Sequence, residues 1–328
     1  VNIPANGTTA PTIAEVVDAL NNNASFASSY VAQASSPSAS ISGIAFSTSI
    51  TTASTASNLS VARYGVAGVS DGALYGYAMG GDTGAKTTTT DRITFSTGVF
   101  AASTVSNLSS ARYGTSTVSD ASVYGYNLGG NTGADVTTAD RLTFSTSATA
   151  ASTASNLSQD RRYAAGVSDG GTTYGYIVGG RRQASSAEVA TADRLTFSTS
   201  GIAASTASNL SQARGDIGSV SDGAVYGYVC GGQTTSATVT TGDRTTFSTS
   251  ATAALTSVNL SAARNGINGV SDGATYGYLS GGDSTGSTTG LTTSDRITFS
   301  TSILAAATAS NLSSARVYMA STFSDGAV

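Results

Sequence analysis

Acid and base recur in fixed company along this chain. Asp71, Asp120, Asp169, Asp222, Asp272 and Asp325 each follow a serine, and Asp91, Asp140, Asp193, Asp243 and Asp295 each precede an arginine. A further arginine returns at Arg63, Arg112, Arg161, Arg214, Arg264 and Arg316. Eleven of the 19 acids and eleven of the 15 bases therefore belong to one repeating pattern. A carboxylate beside a guanidinium can move protons, hold a cation or tie backbone segments together. Acid–base catalysis needs one asymmetric group whose members sit in divergent environments. Five or six equivalent copies point instead to scaffold, and arginine suits it because its planar fork bonds several carbonyls and a carboxylate at once.

Other chemistries lack their reagents. The chain has no histidine, so triads that use it and the usual zinc and copper sites are excluded. Cys230 is the single cysteine and forms no disulfide within the chain. The glycine pairs are too regular for a phosphate cradle, and no P-loop is present. Each Ser-Asp-Gly turn offers one carboxylate, too few oxygens for calcium. We expect no cofactor, no metal and no catalysis. Only 10% of residues are charged, the net charge is −4, and the bases are scattered, which excludes a nucleic-acid footprint. No apolar run is long enough for a membrane span. The sequence shows no secretory signal, which disfavours glycosylation at the six Asn-Leu-Ser sites, Asn58, Asn107, Asn156, Asn209, Asn259 and Asn311. Asparagine also caps turns, and six copies at one turn favour that role.

The elements that position these residues follow from the repeat. Phe46, Phe95, Phe144, Phe197, Phe247 and Phe299 open a Phe-Ser-Thr motif at spacings of 49, 49, 53, 50 and 52 residues. Each unit reads Asn-Leu-Ser-x-x-Arg, a small-residue run, Ser-Asp, Tyr-Gly-Tyr-x-x-Gly-Gly, a loop, Asp-Arg and Phe-Ser-Thr. Four short strands are expected per unit, near 63–70, 73–80, 91–97 and 100–108 in the first full copy, the last being the weakest. An Asp-Gly hairpin joins the first two. Alternation puts Tyr75 and Tyr77 on one face, where they pack between blades or serve as a sugar platform.

Four strands per roughly 50 residues, repeated, is the pattern of a β-propeller blade. The order Arg, Ser-Asp-Gly, Tyr-Gly-Tyr-x-x-Gly-Gly, then a loop into a Phe strand, resembles the kelch repeat over about residues 43–328. The absence of tryptophan and the Phe-Ser-Thr step depart from the kelch pattern. With no histidine, the copper-oxidase chemistry found on some kelch-type propellers is excluded, and "SDGALYGY" lacks the Asp-box spacing of sialidases. Counting the repeat, with its first-strand arginine six times over, leads to the expectation of an all-β propeller of six blades, or seven in a longer chain. Residues 43–58 would close the ring on a blade whose inner strand is 317–323.

Residues 1–42 lie outside the repeat. Ile13, Val16, Val17 and Leu20 have helical spacing within 12–23, and a linker follows. This segment is expected to dock onto another virion protein or onto copies of itself, in an oligomer or multi-copy assembly, with packing on the propeller as the alternative. Specificity is sought where the units differ. The stretch between Gly-Gly and Asp-Arg holds 9, 9, 12, 10 and 12 residues. Its candidate binding residues are Lys86, Arg181, Arg182, Gln183, Gln233 and Asp283. The style of the chain, with Ser/Thr/Gly-rich near-identical repeats and a small docking segment, resembles bacteriophage virion proteins. The expected role is a tail-fibre, head-fibre or decoration component, located in the virion, that touches a host-surface glycan or protein. A bacterial extracellular or cell-surface glycan-binding propeller and a kelch-type adaptor are the alternatives.

Overall fold

A computed structural model describes residues 56–318 except 172 and 285–289, together with two short strands, Val31–Ala32 and Phe46–Ser47. The chain divides into two compact units, Val1–Ala53 and Ser54–Val328. In the first, the two short strands pair with each other, antiparallel. The helix expected over 12–23 lies outside the described residues.

The second unit is an all-β propeller. Its described residues build five sheets of four antiparallel strands, each running in chain order from the axis outward. Blade 1 comprises Ala67–Ser70, Tyr75–Met79, Thr90–Thr94 and Val99–Ala102. The first strands of blades 2 to 5 are Ser116–Ser119, Ala165–Ser168, Gly218–Ser221 and Asn268–Ser271. A single turn of 3-10 helix ends each blade, as at Thr104–Ser106. The count of five corrects the expected six or seven. Closure by residues 43–58 is not seen: Phe46–Ser47 pairs with Val31–Ala32, and most of that stretch lies outside the described residues. The physical difference lies in residues 42–46, Ser-Gly-Ile-Ala-Phe, which lack the Asp-Arg pair that precedes every later Phe-Ser-Thr.

Local chemistry explains each strand boundary. The Asp71 Oδ1 accepts backbone N–H bonds from Ala73, Leu74 and Tyr75 at 2.8–2.9 Å, which fixes the first hairpin. Asp120, Asp222 and Asp272 repeat this with one carboxylate oxygen each, Asp169 with both of its oxygens. At the far end of the second strand the glycine pair adopts positive φ. A Cβ on Gly129 would lie 2.6 Å from the Arg161 carbonyl oxygen, so backbone from the next unit occupies the space a side chain would need.

The core lies between blades. Tyr77 is fully buried, stacks on Phe144 of the next blade at 6.1 Å, and bonds Ser147 Oγ at 2.8 Å. Tyr126, Tyr176 and Tyr228 repeat the contact with Ser200, Ser250 and Ser302. The partly exposed tyrosine of each Tyr-Gly-Tyr lies under the guanidinium of the Asp-Arg motif, Arg92 over Tyr75 at 4.3 Å and Arg141 over Tyr124 at 4.2 Å. The inner tyrosine of each pair therefore serves inter-blade packing, while the outer one is covered by an arginine of its own blade.

Candidate functional site

The repeated charges form buried ties. Arg63–Asp91, Arg112–Asp140, Arg161–Asp193, Arg214–Asp243 and Arg264–Asp295 are ion pairs with no side-chain exposure. Arg112 shows the pattern: Nη2 donates to Asp140 at 2.9 Å and to the Asn127 carbonyl at 3.2 Å, and Nη1 donates to Thr138 Oγ1 at 3.0 Å. Burial lowers the pKa of Arg112 from its ordinary value, with Asp140 opposing the fall. The Asn-Leu-Ser turn straddles two blades. Asn107 Oδ1 accepts the Thr90 N–H of the blade the chain leaves, and the Ser109 N–H donates to Asp140 in the blade it enters. Asn156, Asn209, Asn259 and Asn311 make the same bond to their own third strands. Arg316 stands apart: it is exposed, and its Nε donates to Ser314 Oγ at 3.5 Å.

The variable loops gather around one end of the axis. The first loop residue of each unit pairs with the residue that follows the repeat arginine or its neighbour: Tyr64 with Asp82, Tyr113 with Asn131, Arg162 with Arg181, Gly215 with Gln233 and Asn265 with Asp283. One residue further along lies a ring. Gly114 N–H donates to Gly65 O, Tyr163 to Gly114, Asp216 to Tyr163, Gly266 to Asp216, Tyr318 to Gly266 and Gly65 to Tyr318, at 2.7–3.2 Å. All six ring residues have left-handed backbone, φ 53–63°. Three of them are not glycine, a conformation held by the surrounding structure.

The predicted site residues divide into several groups. Gln183 joins a cluster across blades 2 and 3: its N–H donates to Asp135 Oδ2 at 2.5 Å, and its Oε1 accepts from Asn131 at 2.8 Å. Arg162 donates to the other Asp135 oxygen at 2.7 Å. Arg182 is ion-paired with Asp160 at 2.5 Å, both partly exposed. Arg181 lies opposite Glu188 in a pair of two-residue strands, and Glu188 accepts from Thr235 Oγ1 of the next loop at 2.9 Å. Gln233 accepts from Asn265 at 3.0 Å, and Asp283 is buried. Lys86 is separate, with its ammonium 5.5 Å from the Tyr113 ring centroid. The loops are thus laced to one another, where the sequence suggested independent tips.

Sequence reasoning missed Asp135, Asp160, Arg162, Tyr163, Asp216, Asn268 and Tyr318. A signal existed: the residue two after each repeat arginine reads Gly65, Gly114, Tyr163, Asp216, Gly266, Tyr318, and departs from glycine at three of the six positions. Tyr64, Tyr113, Tyr163 and Tyr318 form a run of ring contacts 5.7–6.0 Å apart. Burial pushes the Asp216 carboxyl up to about 7; Glu188 adds to the rise, and Arg181 and Arg162 oppose it. Burial, with Asp216 next in weight, also raises Tyr163, and pushes Tyr318 up to about 12. Among the described residues no three His, Cys, Asp or Glu side chains converge as metal ligands. No family model matches the chain, and no curated protein matches it in sequence.

Proposed function

We propose that this protein is a non-catalytic structural and adhesive component of a bacteriophage virion, a fibre or decoration protein whose laced loops meet a host surface or a neighbouring virion protein. The repeat is kelch-like in this reading. One observation carries the scaffold half: every repeated Arg–Asp pair among the described residues, Arg63–Asp91 through Arg264–Asp295, is buried and spent on backbone and carboxylate bonds. The adhesive half is supported by the gathering of the length-variable loops at one end of the axis, with partly exposed charge at Arg182 and Asp160. The virion assignment rests on the Ser/Thr/Gly-rich, near-identical repeats.

Two measurements test it. Mass spectrometry of purified particles from a phage carrying the gene should find the chain in stoichiometric amounts; its absence from the particle ends the virion reading. Purified full chain should bind host cells and slow phage adsorption, and the Arg182→Ser/Gln183→Ala variant should bind less with an unchanged melting temperature. Equal binding by that variant moves adhesion away from these loops.

A further inference from the structure

The five first strands and Tyr318 line an axial cavity of about 350 Å³. Its walls are mostly Gly, Ala, Ser and Val. The wall hydroxyls are largely consumed between blades: Ser116 donates to Ala164 O, Thr117 to Gly68 O, Ser219 to Gly166 O, Ser221 to Ser168 O and Ser271 to Ser221 O, at 2.6–2.9 Å. Two lining acceptors are left over. Asp216 Oδ1 and Asn268 Oδ1 are shut from bulk solvent and have no hydrogen-bond partner. Asp216 as a residue keeps some surface, which is what a side chain bordering an internal space shows. An orphan buried acceptor is costly, and two that border one cavity are satisfied together by a ligand that brings donors.

The surroundings select the donor. Arg162 is paired with Asp135, Arg182 with Asp160, and Arg181 lies opposite Glu188, so each cation near the cavity mouth already faces a carboxylate. Tyr163 and Tyr318 both border the space and their rings touch each other, centroids 5.7 Å apart, which makes one apolar wall beside two acceptors. Hydroxyl donors on a body with apolar C–H faces fit this combination, and the volume exceeds that of one sugar ring. An ammonium ligand would meet Arg162 and Arg181, both close enough to act on Asp216.

We infer that the axial cavity is a binding site for one neutral sugar residue, whose hydroxyls donate to Asp216 and Asn268 beside the contacting pair Tyr163 and Tyr318. The inference deepens the adhesive reading and rests on it only for the source of the sugar, a host-surface glycan.

The repeat supplies its own control variants. Asp216→Gly installs the residue that Gly65, Gly114 and Gly266 already carry at the same left-handed position, and Asn268→Ala installs the residue of Ala67 and Ala165. The full chain is titrated with glucose, galactose, mannose and N-acetylglucosamine by ligand-observed NMR, with n-butylammonium and acetate as charged probes. The expected result is binding of at least one sugar, weakened roughly tenfold or more by each variant, since a hydrogen bond to a charged or buried acceptor carries about that much. Val105→Ser, at an exposed position outside the cavity lining, should bind the sugar normally. No sugar binding, binding unchanged in both Asp216→Gly and Asn268→Ala, or binding of n-butylammonium in place of sugar overturns the inference. Host-cell binding that survives such a result leaves the loop reading standing, so the two failures are distinguishable.

Discussion

At the scale of single residues, the same two ionic types carry opposite roles according to burial. Arg112 reaches a carboxylate, a carbonyl and a hydroxyl from one planar group, and lysine's point charge cannot span them. Arg112→Lys should therefore cost about 2 kcal/mol, read as a fall in the urea midpoint. Arg181→Ser, at the partly exposed rim, should stay within about 0.5 kcal/mol in the same assay. Equal effects would erase the division between tie and rim. Asp216 gives a pH signature. Its folded pKa is raised to about 7, so between the unfolded carboxylate range and that value the native state holds a proton the unfolded chain releases. Its contribution is fully present at low pH and is lost as pH rises toward 7. The groups acting on it are Tyr163, Tyr318, Arg162, Arg181 and Glu188, and of these only Glu188 is a carboxylate. The wild-type melting temperature should fall between pH 5 and pH 8 by more than that of Asp216→Asn, which has no proton to lose. Parallel curves would remove Asp216 from the account.

At the scale of elements, the blade was largely legible. The Ser-Asp-Gly turn, the alternation through Tyr-Gly-Tyr and the Gly-Gly exit each mark a boundary by residue type, and the strands Ala67–Ser70 and Tyr75–Met79 sit within the expected spans. The Gly-Gly exit yields a direct test: Gly129→Ala should cost about 3 kcal/mol, combining strain at positive φ with a collision at the Arg161 carbonyl, whereas Gly133→Ala, with open space around it, should cost only the strain. Thermal scans of the two variants decide it. The lacing of the loops was not legible, because it depends on which side chains face each other across blades. Asp135 and Gln183 are separated by 48 residues, and no local pattern joins them. The left-handed ring was half visible, as glycine at three of its six positions. Tyr163 and Asp216 in the same conformation are imposed by neighbours rather than by residue type.

At the scale of the molecule, the ring of backbone bonds holds the first unit's lead-in to the last described residue. Tyr318 both donates to Gly266 and accepts from Gly65. Proline at 318 removes the donor and cannot take φ 53°, while glycine keeps both. Tyr318→Pro should lower the melting temperature by several degrees relative to Tyr318→Gly, with a broader calorimetric transition; equal values would mean the ring bears no stability. The blade count was the least legible feature, because counting motifs treats a motif as a blade, while a blade exists only where four strands pair. The turn that grips two blades at once has one more consequence. Its grip is written in nearly identical words in every unit, so a blade from a second molecule satisfies Asn107 and Ser109 as well as the proper one does. Refolding yield should consequently decline with protein concentration, as chains lend one another their modules and lock into exchanged dimers.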